Sequence, residues 1–142
     1  MRRKVENMKR TFSRLLAAGL CWATMALAAD DKDFQTWMKT AGGTIGGLKK
    51  ALDTKNNGEA AQAARKLEDV FSHVETYMTE HKVQDGAGYA KDAGSAAKQI
   101  AAAADAGNAS DASAGFGKLG GACKSCHAAH REKVEGGFRF KP

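Results

Sequence analysis

Apolar residues in this chain recur at intervals of three and four. Phe34, Trp37, Met38, Ala41, Ile45, Leu48 and Leu52 form a first series, and Ala63, Leu67, Val70, Phe71, Val74, Tyr77 and Met78 a second, denser one. Tyr89, Ala93, Ala96, Ala97, Ile100 and Ala104 make a third, lined mainly by small side chains. Phe116, Leu119, Cys123, Cys126, His127, His130 and Val134 make the fourth. Such spacing places each series on one face of a helix. Asn56-Asn57-Gly58, Asp85-Gly86-Ala87-Gly88 and Gly107-Asn108 interrupt the pattern, and Ser110 or Asp111 is expected to cap the fourth helix. Alanine is abundant, β-branched residues are scarce and the single proline is the last residue, Pro142. Helix is therefore favoured throughout, and no convincing strand pattern is present. Four helices of about twenty residues joined by short polar turns predict an all-α fold, an antiparallel up-down-up-down bundle.

The third and fourth faces offer mostly alanine and glycine to the interior. A core this thin is marginal by itself. A large apolar prosthetic group among the helices would supply the missing buried surface, which is a reason to expect a cofactor before any motif is considered.

The first residues follow a different pattern. Arg2, Arg3, Lys4, Lys9, Arg10 and Arg14 precede an apolar run from Leu15 to Ala29, and Ala26-Leu27-Ala28 places small residues where an export peptidase reads them. This predicts a secretory signal peptide over residues 1–28, cleaved to leave a domain over residues 29–142. The apolar run is short for a hydrocarbon core of about 30 Å, so no stable membrane insertion is expected after cleavage. A start at Met8 would give a more ordinary signal length. Cys21, preceded by Leu20 where a lipoprotein site wants a small residue, should leave with the signal. Removing residues 1–28 takes six of 22 basic and one of 16 acidic residues, leaving 16 against 15 and a net charge of +1. The basic balance thus belongs mostly to the export signal and gives no argument for nucleic-acid binding, which wants a basic face on the folded domain.

The mature chain keeps two cysteines, both in Cys123-Lys124-Ser125-Cys126-His127. C-x-x-C-H is the attachment signature of c-type haem. On a helical turn the two thiols reach the two vinyl groups on one porphyrin edge, and the adjacent imidazole reaches the iron. Other readings fit less well. Structural zinc usually needs four protein ligands, and three are present here. A thioredoxin-like dithiol belongs in a βαβ setting. A plain disulfide would close too small a loop to constrain the chain.

With its C-x-x-C-H in the last of four helices, the chain resembles the class II c-type cytochromes, the cytochrome c' proteins and their low-spin relatives. The resemblance spans residues 31–142 and is specific in "FGKLGGACKSCHAAHREK" and in the first-helix segment "FQTWMKTAGG". It implies one covalent haem c, thioether links at Cys123 and Cys126, His127 as proximal ligand, and Arg131 near the proximal side. Met38 falls where low-spin members supply a methionine ligand and high-spin members place a non-ligating apolar residue. Gln35 matches a glutamine common in the family, whereas Phe34 stands where an arginine is frequent, which puts a propionate-pairing role there in doubt.

Antiparallel geometry brings the start of the first helix beside the end of the fourth, so residues 34–41 are candidates to cover the open face of the haem. A thioether suits haem iron, and His/Met ligation raises the reduction potential; the plainer reading of Met38 is a core side chain. Glycine inside a helix costs about 1 kcal/mol relative to alanine. Gly42, Gly43, Gly46 and Gly47 therefore suggest either a close approach to a neighbour or to the porphyrin, or a frayed or kinked stretch. Tyr77, Met78, His81 and Tyr89 should lie at the haem end and line the pocket, with Met78 and His81 as fallback ligands. His73 is expected in solvent, and His130 beside the haem edge, since one helix cannot serve both faces of a ring.

The expected function is a periplasmic mono-haem electron carrier, with periplasmic redox proteins as partners. The alternative is a five-coordinate haem protein binding nitric oxide or carbon monoxide. An enzyme such as a peroxidase is not expected, because no acid–base pair accompanies Met38. Family members are often dimers, so a homodimer is an option, although no heavily apolar outer stripe marks a dimer face.

Overall fold

The computed structural model describes residues 31–142, so the expected signal peptide and its cleavage point lie outside the described residues. Helices α1 (Asp31–Asp53), α2 (Asn57–Glu80), α3 (Gln84–Asp105) and α4 (Ala109–His130) follow one another, and a two-stranded antiparallel hairpin, β1 (Arg131–Val134) and β2 (Gly137–Phe140), ends the fold. Each helix packs on the next, while α1 and α4 make few direct contacts. The four-helix bundle is thus as expected. No helix among the described residues is long and apolar enough to cross a membrane.

The three helix connections share one design. Asn56, Val83 and Asn108 each donate their N–H to the carbonyl five residues back, on Ala51, Met78 and Ala103. The residue before each, Lys55, Lys82 or Gly107, has φ of 55°, 61° or 70°. This is the Schellman closure, in which a left-handed residue turns the chain and satisfies the last carbonyls. Two sequence expectations shift as a result. The break between α2 and α3 lies at His81–Val83, and Asp85-Gly86-Ala87-Gly88 forms the opening of α3. The fourth helix is capped by Asn108, whose side chain accepts from the Asp111 N–H at 3.1 Å, in place of Ser110 or Asp111. Asn56 does the same for α2 through the Glu59 N–H at 3.2 Å.

The expected apolar stripes form the core. Leu48, Leu67, Val74, Tyr77, Met78, Ile100 and Leu119 are fully buried, with the buried alanines of α2, α3 and α4 closing the gaps between them. Close approach occurs at glycines other than those singled out. A Cβ on Gly115 would sit 2.7 Å from Ile100 Cγ1, and one on Gly86 would sit 2.8 Å from Met78 Sδ. Gly42, Gly43, Gly46 and Gly47 have no such neighbour, and α1 runs unbroken through them.

The hairpin is the one element the sequence reading missed. Val134, assigned there to the fourth helix, lies in β1. The helix ends at His130, and Arg131 turns to extended geometry (φ −111°, ψ 120°). Arg131 pairs with Phe140 and Val134 with Gly137, around a two-residue turn in which Gly136 takes φ 82°. That positive φ is where glycine carries little penalty.

Candidate haem site

A cavity of about 720 Å³ occupies the end of the bundle formed by the start of α1, the end of α2, the start of α3 and the end of α4, and the hairpin closes one side of it. Its volume is that of a small-molecule or cofactor site. The cavity exists because α1 and α4 do not close on each other there. Between Leu119 and His130 no residue of α4 is fully buried: Ala122, Cys123 and Cys126 are only half-buried against the core.

All seven residues singled out as cofactor contacts reach this one cavity: Met38 and Gln35 from α1, Tyr89 from α3, Cys123, Cys126 and His127 from α4, and Arg131 at the start of β1. Met78 also lines it. Tyr77 and His81, also expected there, do not; their rings stack with centroids 4.0 Å apart. His73 is exposed and stacks flat on Trp37 at 5.2 Å. Phe34, which replaces the expected arginine, is buried against Tyr77 at 4.7 Å, so that position contributes an apolar wall. Gly42 borders the cavity, while Gly43 and Gly47 border a shallow groove between α1 and α2. The wall residues that the sequence reading passed over are Phe71 and Val74 of α2 and most of the hairpin. An alternating Phe138-Arg139-Phe140 behind Gly136-Gly137 was the available signal for the latter.

The electrostatics suit neutral donors. Cys123 and Cys126 are free thiols. Burial raises the pKa of both; that of Cys126 is pushed up to about 11, with Cys123 and the Asp85 carboxylate adding to the effect. Burial, with the Arg131 guanidinium behind it, lowers that of His127, and no hydrogen bond engages the imidazole among the described residues. A neutral, unengaged imidazole is the form that ligates a metal. His130, one turn on, is committed elsewhere. It is buried, its Nδ1 lies 3.0 Å from the Lys141 carbonyl, and its Nε2 lies 3.1 Å from an Asp85 carboxylate oxygen, out of line for a hydrogen bond. Among the described residues no three His, Cys, Asp or Glu side chains converge as ligands for a metal ion. Haem iron, held by the porphyrin nitrogens, asks the protein for only one or two axial donors.

The family model described as Cytochrome C' matches residues 81–131, from the end of α2 through the first residue of β1. Over that segment the chain is similar to the cytochrome c' family of class II c-type cytochromes. Among solved structures, one described as a cytochrome c' with an unusual ligand-controlled dimer dissociation shares the fold. It has a TM-score of 0.61 and 21% identity over 78% of this chain and 94% of that one. No curated protein matches the chain. The cytochrome c' family carries a single covalently attached c-type haem, and the cavity of this chain fits one. Its wall is predominantly apolar, two unpaired thiols lie one turn apart on it, and a neutral imidazole follows them.

Proposed function

We propose that the mature chain is a periplasmic mono-haem cytochrome c that carries one electron at a time between redox proteins. Cys123 and Cys126 hold the porphyrin by thioether links, His127 is the proximal ligand and Met38 the sixth. The observation that carries this reading is the sharing of one cavity by Met38 and His127, on helices that scarcely touch each other. Bound haem supplies the ferric–ferrous couple. The protein's part is to fix the donors, exclude water and set the charge nearby. Tyr77 helps to fix α1: its hydroxyl donates to Asp31 Oδ1 at 2.6 Å and its ring backs Phe34. Met38, one turn further along α1, is thereby positioned against the cavity. Gln35 and Tyr89 bring polar groups to the wall, and Arg131 a positive charge beside His127.

The family match supports a second reading. Cytochromes c' resemble this chain, and high-spin members leave the sixth position free. In that case Met38 is an apolar wall residue and the haem binds nitric oxide or carbon monoxide. The solved neighbour is described by its ligand-controlled dimer dissociation; by analogy, this chain would form a homodimer that responds to ligand. The absorption spectrum of the purified holoprotein separates the two. Met38 ligation gives a low-spin spectrum with a weak far-red thioether–ferric band that Met38→Ala abolishes. A high-spin spectrum in the unaltered protein, with fast carbon monoxide binding, removes the first reading.

A further inference from the structure

The family match stops at Arg131, but the chain continues into a hairpin whose residues from Val134 to Phe140 border the cavity. A two-stranded hairpin by itself is at best marginally stable in water, and this one touches the helices sparingly. Its cohesion comes from cross-strand contacts on both faces: on one, Arg139 Nε and Nη2 both contact Glu132 Oε2 at 2.7 Å, and on the other the Arg131 guanidinium sits 4.4 Å over the Phe138 ring. Its attachment to the bundle comes from the far end of β2. The Phe140 ring lies 5.2 Å from Phe34, 5.8 Å from Tyr77 and 6.0 Å from His130. Beyond it, the Lys141 N–H donates to the His130 carbonyl at 2.8 Å, and the Lys141 carbonyl accepts from the His130 ring at 3.0 Å. The strands are thus held to one another along their length and to the bundle at one corner.

We propose that this hairpin is a cover on the haem pocket, latched by Phe140, which keeps water and small solutes from the haem. The proposal rests on the haem assignment made above. Ferric haem carries one more positive charge than ferrous, and withdrawing solvent from a charge disfavours it. The cover therefore raises the reduction potential, burial being one of the protein's levers on it. The same shielding slows electron exchange with small reagents in solution.

The test uses holoprotein matured in a host with working cytochrome assembly. One variant lacks residues 132–142 and so keeps the whole family-matched segment; the other is Phe140→Ala at full length. Mass and the Soret band establish haem attachment in the unaltered protein before anything else is measured, and a haem-free unaltered chain would overturn the haem assignment instead. On loaded proteins, the truncation lowers the midpoint potential and makes reduction by dithionite several-fold faster, and Phe140→Ala moves both in the same direction by less. A loaded truncated protein whose potential and reduction rate match those of the full chain overturns the cover. If the truncated chain takes up no haem, Phe140→Ala decides alone, and no change in either quantity rejects the proposal.

Discussion

At the end of the bundle away from the hairpin, Leu48, Leu67 and Ile100 are fully buried, and Ala60, Ala64, Ala97 and Gly115 let the helices close around them. At the other end the same four helices surround about 720 Å³ of space, and the side chains facing it include two thiols, an imidazole and a thioether. Both ends use small residues, to opposite effect. In the packed half a missing Cβ is taken up by a neighbour's methyl group, as Gly115 admits Ile100. In the open half, Gly42 and the alanines of α3 leave room that no side chain fills. Packing holds the first half together, whereas the second leaves the room in which the proposed haem would sit.

The sharpest way to break this contrast is to remove matched side chains from each half of the holoprotein. Ile100→Ala should cost about 2–5 kcal/mol in denaturant unfolding, the usual range for a buried aliphatic truncation, and leave the haem spectrum unchanged. Ile45→Ala, on the cavity wall, should cost less, because Ile45 is only partly buried, and should shift the haem bands. Equal costs and equal spectra would erase the distinction between the halves.

A milder pair adds a methyl group. Gly115→Ala forces a Cβ to within 2.7 Å of Ile100 Cγ1, and overpacking of this kind costs about 1–3 kcal/mol, partly offset by helix propensity. Gly42→Ala meets no protein atom within 4 Å. It should keep or raise thermal stability while perturbing the haem bands.

The smallest effect concerns protons in the open half. Burial, then Arg131, lowers the pKa of His127 below its ordinary 6.5. In a haem-free Cys123→Ser/Cys126→Ser chain the unfolded state therefore takes up this proton first as the pH falls. The contribution to stability is complete above about pH 6.5, declines below it, and levels off once the folded state is also protonated. Urea midpoints across that range should fall with pH less steeply in the same chain carrying His127→Gln; identical slopes would deny His127 its buried, neutral character.

Much of this arrangement was legible in the sequence because helical periodicity and antiparallel order together place residues at an end of the bundle. Met38 and His127 are 89 positions apart, yet counting turns along α1 and α4 brings them to one cavity. What escaped depended on information that periodicity does not carry. Val134 continues the spacing of the fourth apolar face, so the pattern alone extends α4 past its true end at His130. Asn108 was passed over because Ser110 and Asp111 are equally good capping residues, and the backbone geometry of the turn decides among them. The glycine clusters left their meaning open for a related reason: a sequence shows where a Cβ is absent but not what stands opposite. Gly86, read only as part of a break, and Gly115, unremarked among many glycines, are the ones pressed against neighbours, whereas the conspicuous Gly42-Gly43 and Gly46-Gly47 meet no neighbouring side chain.

The repeated turn geometry gives the molecule an adjustable margin. Of the three left-handed positions, only Gly107 is glycine, and a residue bearing a Cβ costs roughly 1 kcal/mol in that conformation. Lys55 carries this cost at the end of the bundle remote from the cavity. Robustness can therefore rise or fall there through a single side chain while the iron's surroundings stay as they are.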